Sequence, residues 1–248
     1  MARPFRLLLA LLLSIVSAAV SSARAAEPAD LLLVLAADVS RSVDRAKFEL
    51  QRQGYASAIS DPLVLEAIKS GQHRRIAVCF VEWSGFGAQK LVVGWTAIAD
   101  AESAQQFSGH VLEAPRSFAD RTSISGGLEF AAKQFAQAPF EAARHTIDIS
   151  GDGTNNSGRD VALVRDEVLA KGITINGLVI LSDRPLSFNP EHTNPPGGLE
   201  AYYRDNVVGG PGAFVMAAKD FGSFGKAILN KLIAEIALTA PARHALAR

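Results

Sequence analysis

Residues 31–44, LLLVLAADVSRSVD, constrain this chain more than any other stretch. An unbroken apolar run of strand length, 31–37, ends abruptly at Asp38, and hydroxyls follow at Ser40 and Ser42. From Val43 the pattern changes: Ala46, Leu50, Gly54 and Ala58 recur every four residues, which marks one face of a helix. A run that is apolar throughout, rather than alternating, fits a strand covered on both faces of a sheet. A buried strand passing directly into a helix puts the connecting loop at the carboxyl edge of a parallel sheet, where open α/β folds hold their ligands. One carboxylate and two hydroxyls in that loop are hard oxygen donors, suited to magnesium, calcium or manganese.

The rest of the chain repeats the strand–helix alternation. Strands are predicted at 75–83 and 90–98, joined by the short link 84–87 and therefore antiparallel. A short turn is expected at 63–69, a helix at 100–113 stopped by Pro115, and a loop at 116–121. Ile124, Leu128, Ala131 and Phe135 then share a helical face, with Gly126 and Gly127 allowing close approach to the sheet. Thr122 stands where that helix begins, and on local sequence alone its hydroxyl reads first as an N-cap. A fourth strand, 144–150, runs into Gly151-Asp152-Gly153, which by itself is an ordinary turn sequence. A helix over 159–171, a strand over 173–181, a short helix over 199–206, a last strand over 213–218 and a closing helix striped with Phe224, Ile228, Leu232 and Ile236 follow. The expected fold is α/β and doubly wound: a mostly parallel six-stranded sheet with one antiparallel strand and helices on both faces. Residues 182–198, proline-rich and without periodicity, form a long loop leaving the same sheet edge, a candidate for partner selectivity or simply an excursion.

The first 25 residues read as a signal peptide: Arg3 and Arg6, an apolar stretch over 7–20, and Ala23-Arg24-Ala25 as a cleavage site. The stretch is shorter than the roughly 20 residues a membrane span needs. The expected organisation is a signal peptide at 1–25, one domain at 26–240 and a tail at 241–248, with a periplasmic or secreted destination and no stable membrane span after cleavage. Basic and acidic residues balance at 25 each, and no basic stripe appears, which argues against a nucleic-acid partner. The single cysteine, Cys79, lies in an apolar run and reads as a buried small hydrophobe. The five histidines lack metal-ligand spacing and read as surface or packing residues. Glu82 and Asp148 interrupt otherwise apolar strands, so each needs either a buried partner or a place near the sheet edge.

Three loops thus share one address. The Asp38–Ser42 run (D-x-S-x-S), the T-x-I-x-x-G-L run from Thr122 to Leu128, and the Asp152-Gly153 pair together resemble the metal-ion-dependent adhesion site (MIDAS) of von Willebrand factor type A domains. Glu82-Trp83-Ser84-Gly85 and the SGDGTNN run at 150–156 make the chain most similar to bacterial exported members grouped as a domain of unknown function. Many members of the wider family have threonine just before the second acidic residue, where this chain has Ser150-Gly151. The resemblance implies that Ser40 and Ser42 coordinate a divalent cation, magnesium first and manganese or calcium as alternatives. It also implies that Thr122 binds directly or through water, and that Asp38 and Asp152 hold the ion mainly through waters and hydrogen bonds. The outside ligand it implies is an acidic side chain of a partner protein. The expected activity is therefore exported, metal-dependent protein binding rather than catalysis. Two alternatives stand beside it: a magnesium-dependent phosphohydrolase using Asp38 as nucleophile, and a scaffold with a degenerate metal loop. The first lacks the second carboxylic acid two residues on, where Ser40 stands.

Overall fold

The computed structural model describes residues 26–182, 186–187 and 189–237. The expected signal peptide and the 241–248 tail lie outside the described residues. The central sheet has six strands: β1 Leu32–Asp38, β2 Ile76–Trp83, β3 Gln89–Ile98, β4 His145–Gly151, β5 Ile173–Ile180 and β6 Val215–Ala218. Their spatial order is β3-β2-β1-β4-β5-β6. All neighbours are parallel except β2 and β3. Winding leaves β1 in one direction toward β3 and returns at β4 in the other, so the topological switch point lies between β1 and β4. Their register, Ala37 opposite Ser150, brings Asp38 and Asp152 to the same carboxyl edge.

Residues of β1 alternate between two cores, as the two-residue period of a strand requires. Leu33 and Leu35 meet Tyr55, Phe80, Phe107 and Phe224 on the face covered by α1 Arg45–Ile59, α2 Pro62–Lys69, α3 Ala101–Glu113 and α8 Phe224–Ala237. Val34 and Ala36 meet Trp83, Leu128, Ile149, Val164 and Tyr203 on the face covered by α4 Ile124–Gln134, α5 Val161–Leu169 and α7 Leu199–Asn206. Cys79 belongs to this second core and is fully buried. The doubly wound α/β fold expected from the sequence is the fold observed.

Two local expectations change. The stretch expected as a short turn at 63–69 is an eight-residue helix, because Asp61 caps the backbone N–H of Leu63 and Pro62 occupies the first turn, where its missing N–H is harmless. The last strand begins at Val215 rather than at 213, since the Phe214 N–H is taken by the Asn176 side chain at 3.1 Å. The long loop contains a short helix, α6 Pro190–Thr193. No helix among the described residues is long and apolar enough to cross a membrane.

Both strand acids have buried partners. Glu82 accepts from Arg52 at 2.5 Å, and Arg52 also lies over the rings of Phe48 and Phe80. Asp148 faces Lys231 of α8 at 2.8 Å, and Lys231 also contacts Glu235, which in turn accepts from Asn176.

Candidate metal centre

The first loop folds back on its own acid: the Ser40 N–H donates to Asp38 Oδ1 at 2.7 Å, and the Ser40 and Ser42 hydroxyls stand 3.1 Å apart. Ser42 then reaches across the switch point and donates to Asp152 Oδ1 at 2.5 Å. Backbone bonds stitch this loop to its neighbours, Val39 N to Trp83 O at 2.9 Å and Arg41 N to Asp120 O at 2.8 Å. Arg116 clamps it further, donating to the carbonyls of Val39 and Ser40 at 2.7 and 2.9 Å.

Thr122 is not the N-cap that local sequence suggested. Ser123 takes that role, its hydroxyl accepting from Gly126 N at 3.1 Å, because α4 starts one residue later at Ile124. The Thr122 hydroxyl is thereby released from capping, and the residue is 2 % exposed. Asn156 clasps its backbone in both directions, accepting from Thr122 N at 3.0 Å and donating to Thr122 O at 2.9 Å. Both strings that carried the resemblance have structural work here. Ser84 of the EWSG run bonds the 116–123 loop through Asp120 N at 2.8 Å and Ser123 N at 2.8 Å. Asn155 of SGDGTNN accepts from Ser125 N at 3.1 Å and so ties the Asp152 loop to the first turn of α4.

The glycine before Asp152 has a physical cause: a Cβ at Gly151 would lie 2.4 Å from the Tyr203 hydroxyl and 3.2 Å from Asp38 Oδ2. Threonine has no room there, yet Asp152 still reaches Ser42.

The electrostatics follow from the burial of the two acids. Asp38 is fully buried, and its Oδ2 has no hydrogen-bond partner among the described residues. Burial, reinforced by the like charge of Asp152, pushes the Asp38 carboxyl up to about 8. Asp152 is also raised by burial, while Ser42 and Lys47 act the other way. Lys47 approaches Asp152 Oδ2 only to 3.8 Å and is part exposed. Among the described residues no group of three or more His, Cys, Asp and Glu side chains is placed to hold an ion. The donors gathered here are instead two carboxylates with serine and threonine hydroxyls, a hard-oxygen set compatible with a small divalent cation. The orphaned Asp38 oxygen is what such an ion or its water would satisfy.

Sequence reasoning missed His192. It was expected to be a surface or packing residue like the other histidines, but α6 carries it into the cavity, where it is 5 % exposed. Its Nε2 lies 3.2 Å from Thr122 Oγ1, and its Nδ1 lies 3.3 Å from Thr154 Oγ1. The ring packs against Gly153, where a Cβ would come within 2.3 Å of it. Burial lowers its basicity, opposed by Asp152, so the neutral imidazole is favoured. Ser42, Lys47, Thr122, Asn156 and His192 line one cavity of about 380 Å³, rimmed by Arg41 and Arg121. Nothing in the histidine's spacing signals this; only Gly153, reserved for a ring from elsewhere, hints at it.

A family model described as a protein of unknown function, DUF1194, matches residues 28–240. No curated protein matches the sequence. Among solved structures, a von Willebrand factor type A protein from Catenulispora acidiphila is 14 % identical with a TM-score of 0.52, over 86 % of this chain and 43 % of that one. The pilus adhesin SpaC from Lactobacillus rhamnosus GG is 13 % identical with a TM-score of 0.59, over 84 % and 31 %. Proximal thread matrix protein 1 from the mussel byssus, in a form with a zinc-occupied MIDAS motif, is 14 % identical with a TM-score of 0.54, over 85 % and 48 %. The chain spans less than half the length of each of these three. At such identities the likeness speaks for the fold.

Proposed function

This chain belongs to the DUF1194 family and has a von Willebrand factor type A fold, and from that premise we propose that it is an exported binding module in which a divalent cation bridges to an acidic group on a partner protein. Ser40, Ser42 and Thr122 would offer hydroxyl oxygens to the ion, and Asp38 and Asp152 would balance its charge, directly or through water. Magnesium suits this donor set best, with manganese or calcium as alternatives. The bound ion would supply an electrophilic point for a carboxylate oxygen arriving from outside. The zinc-occupied site of the mussel protein supports a divalent ion of some kind at the corresponding place.

The observation that carries this reading is the pairing of a fully buried, half-orphaned Asp38 with Asp152 across a line of hydroxyls at the switch point. Two carboxylates brought together out of water are costly unless a cation joins them. Their burial also speaks against the phosphohydrolase alternative, since a nucleophilic Asp38 would need an oxygen open to the substrate. Around the cavity Arg41, Lys47 and Arg121 outnumber Asp44 and Asp120, a modest balance toward an anionic visitor.

Calorimetric titration of the chain lacking residues 1–25 with magnesium and manganese tests the ion. Binding is expected for the wild type and is expected to vanish when Ser40→Ala and Ser42→Ala are combined. If neither ion binds at millimolar concentration, the scaffold reading replaces this one. Capture of partners from periplasmic extract should collapse in chelator and in Asp152→Ala; partners retained under both conditions would sink the bridge.

A further inference from the structure

We propose that His192 is a nitrogen ligand of this same metal site and biases it toward a transition ion, zinc above all, over magnesium. The inference rests on the metal-binding reading above and adds a residue that the sequence motif does not contain.

The first support is spacing. Adjacent ligands of an octahedral ion with bonds of about 2.1 Å stand about 3.0 Å apart. The Ser40 and Ser42 hydroxyls are 3.1 Å apart, and His192 Nε2 and Thr122 Oγ1 are 3.2 Å apart. Ser42, Thr122 and His192 line the same cavity, so each pair contributes to it at a separation compatible with neighbouring ligands of one ion. The second support is the seat. The imidazole is 5 % exposed, lies against a glycine that admits no side chain, and has two polar neighbours at Nδ1, Thr154 Oγ1 at 3.3 Å and Asn156 Nδ2 at 3.4 Å. With the proton on Nδ1 and the Thr154 hydroxyl accepting it, Nε2 would turn its lone pair toward the Thr122 side of the cavity, the arrangement that outer-shell partners usually impose on ligating histidines. The third is the unpartnered, fully buried Asp38 Oδ2, which marks the same site as built for a ligand.

A neutral imidazole suits zinc and other later first-row ions, whereas magnesium prefers oxygen and keeps its waters. Adding one nitrogen to an otherwise oxygen-donor set therefore changes which ion wins, without changing the other residues.

The test is paired titration with zinc chloride and magnesium chloride of wild type, His192→Asn and Gly153→Ala, the last expelling the ring while keeping the histidine. Wild type is expected to bind zinc more tightly than magnesium. In both variants zinc affinity should fall by roughly tenfold or more, with magnesium affinity changed by less than about threefold. Cobalt(II) absorption should show a nitrogen donor in wild type that is missing in His192→Asn. Equal losses for both ions would mean that His192 only orients Thr122, and the proposal fails while the metal site stands. Tighter binding of both ions by the variants would make the histidine an obstruction, which also overturns it. Failure of wild type to bind either ion removes the metal reading and this inference together.

Discussion

Strand β4 and the loop it runs into carry two acids four residues apart, and they have opposite fates. Asp148 looks onto Lys231 at 2.8 Å, with Glu235 and Asn176 completing a buried network among β4, β5 and α8. Asp152, just past the strand end, accepts from Ser42, feels the like charge of Asp38 and has a part-exposed lysine only at 3.8 Å. Glu82 repeats the first pattern, neutralised by Arg52 under the 116–123 loop, where its other oxygen accepts from Ser117 N at 2.9 Å. A buried carboxylate with its own cation is part of the frame. A buried carboxylate pair without a close cation of its own is where, on the proposed function, an ion from solution would supply the charge.

The contrast breaks most sharply at Lys231. Lys231→Met leaves Asp148 and Glu235 buried without a countercharge and should cost about 3–5 kcal/mol of unfolding free energy, read by denaturant titration. Replacing Lys231, Asp148 and Glu235 together by leucine should recover most of that loss. The corresponding change at the other acid pair behaves differently. Asp38→Asn should shift stability in chelator by less than about 1 kcal/mol, since the amide keeps the shape and removes a like-charge contact. The same variant should bring ion binding below detection in calorimetry. A large stability loss in Asp38→Asn with ion binding intact would erase the distinction between the two centres.

What could be read from sequence follows the same division. The fold was legible because its determinants are local and periodic: the apolar run of β1, the helical spacing after it, and glycine and proline at the breaks. The candidate loop was legible because Asp38, Ser40 and Ser42 lie within five residues. Spatial partners were not. Arg52, in a helix whose charged side chain would ordinarily face water, is 3 % exposed because Glu82 lies beneath it, and no spacing links the two. Thr122 and Ser123 are adjacent hydroxyls, and a one-residue shift in the start of α4 decides which caps and which is free. His192 enters from a loop without periodicity, seated by a glycine 39 positions earlier, so its role depends on tertiary packing alone.

The pH dependence of stability gives a further way to probe the frame acid Asp148. Burial pushes the Asp148 carboxyl up to about 7, with Glu235 adding to the rise and Lys231 opposing it. Its value in the unfolded chain is that of an ordinary aspartate, about 3.9. Between those limits the folded state holds more protons at this group than the unfolded state does, so the contribution of Asp148 to stability falls as pH rises from about 4 to 7. Below that window the group is protonated in both states, and above it the cost of a buried charge is fully present. The slope can reach about 1 kcal/mol per pH unit. Other carboxylates superimpose their own titrations, so the difference between wild type and Asp148→Asn is the informative quantity. Denaturant midpoints measured in chelator from pH 4 to pH 8 should show the variant gaining on wild type as pH rises through the window. If the two curves run parallel, Lys231 keeps Asp148 ionised throughout, and the frame acid is a plain ion pair.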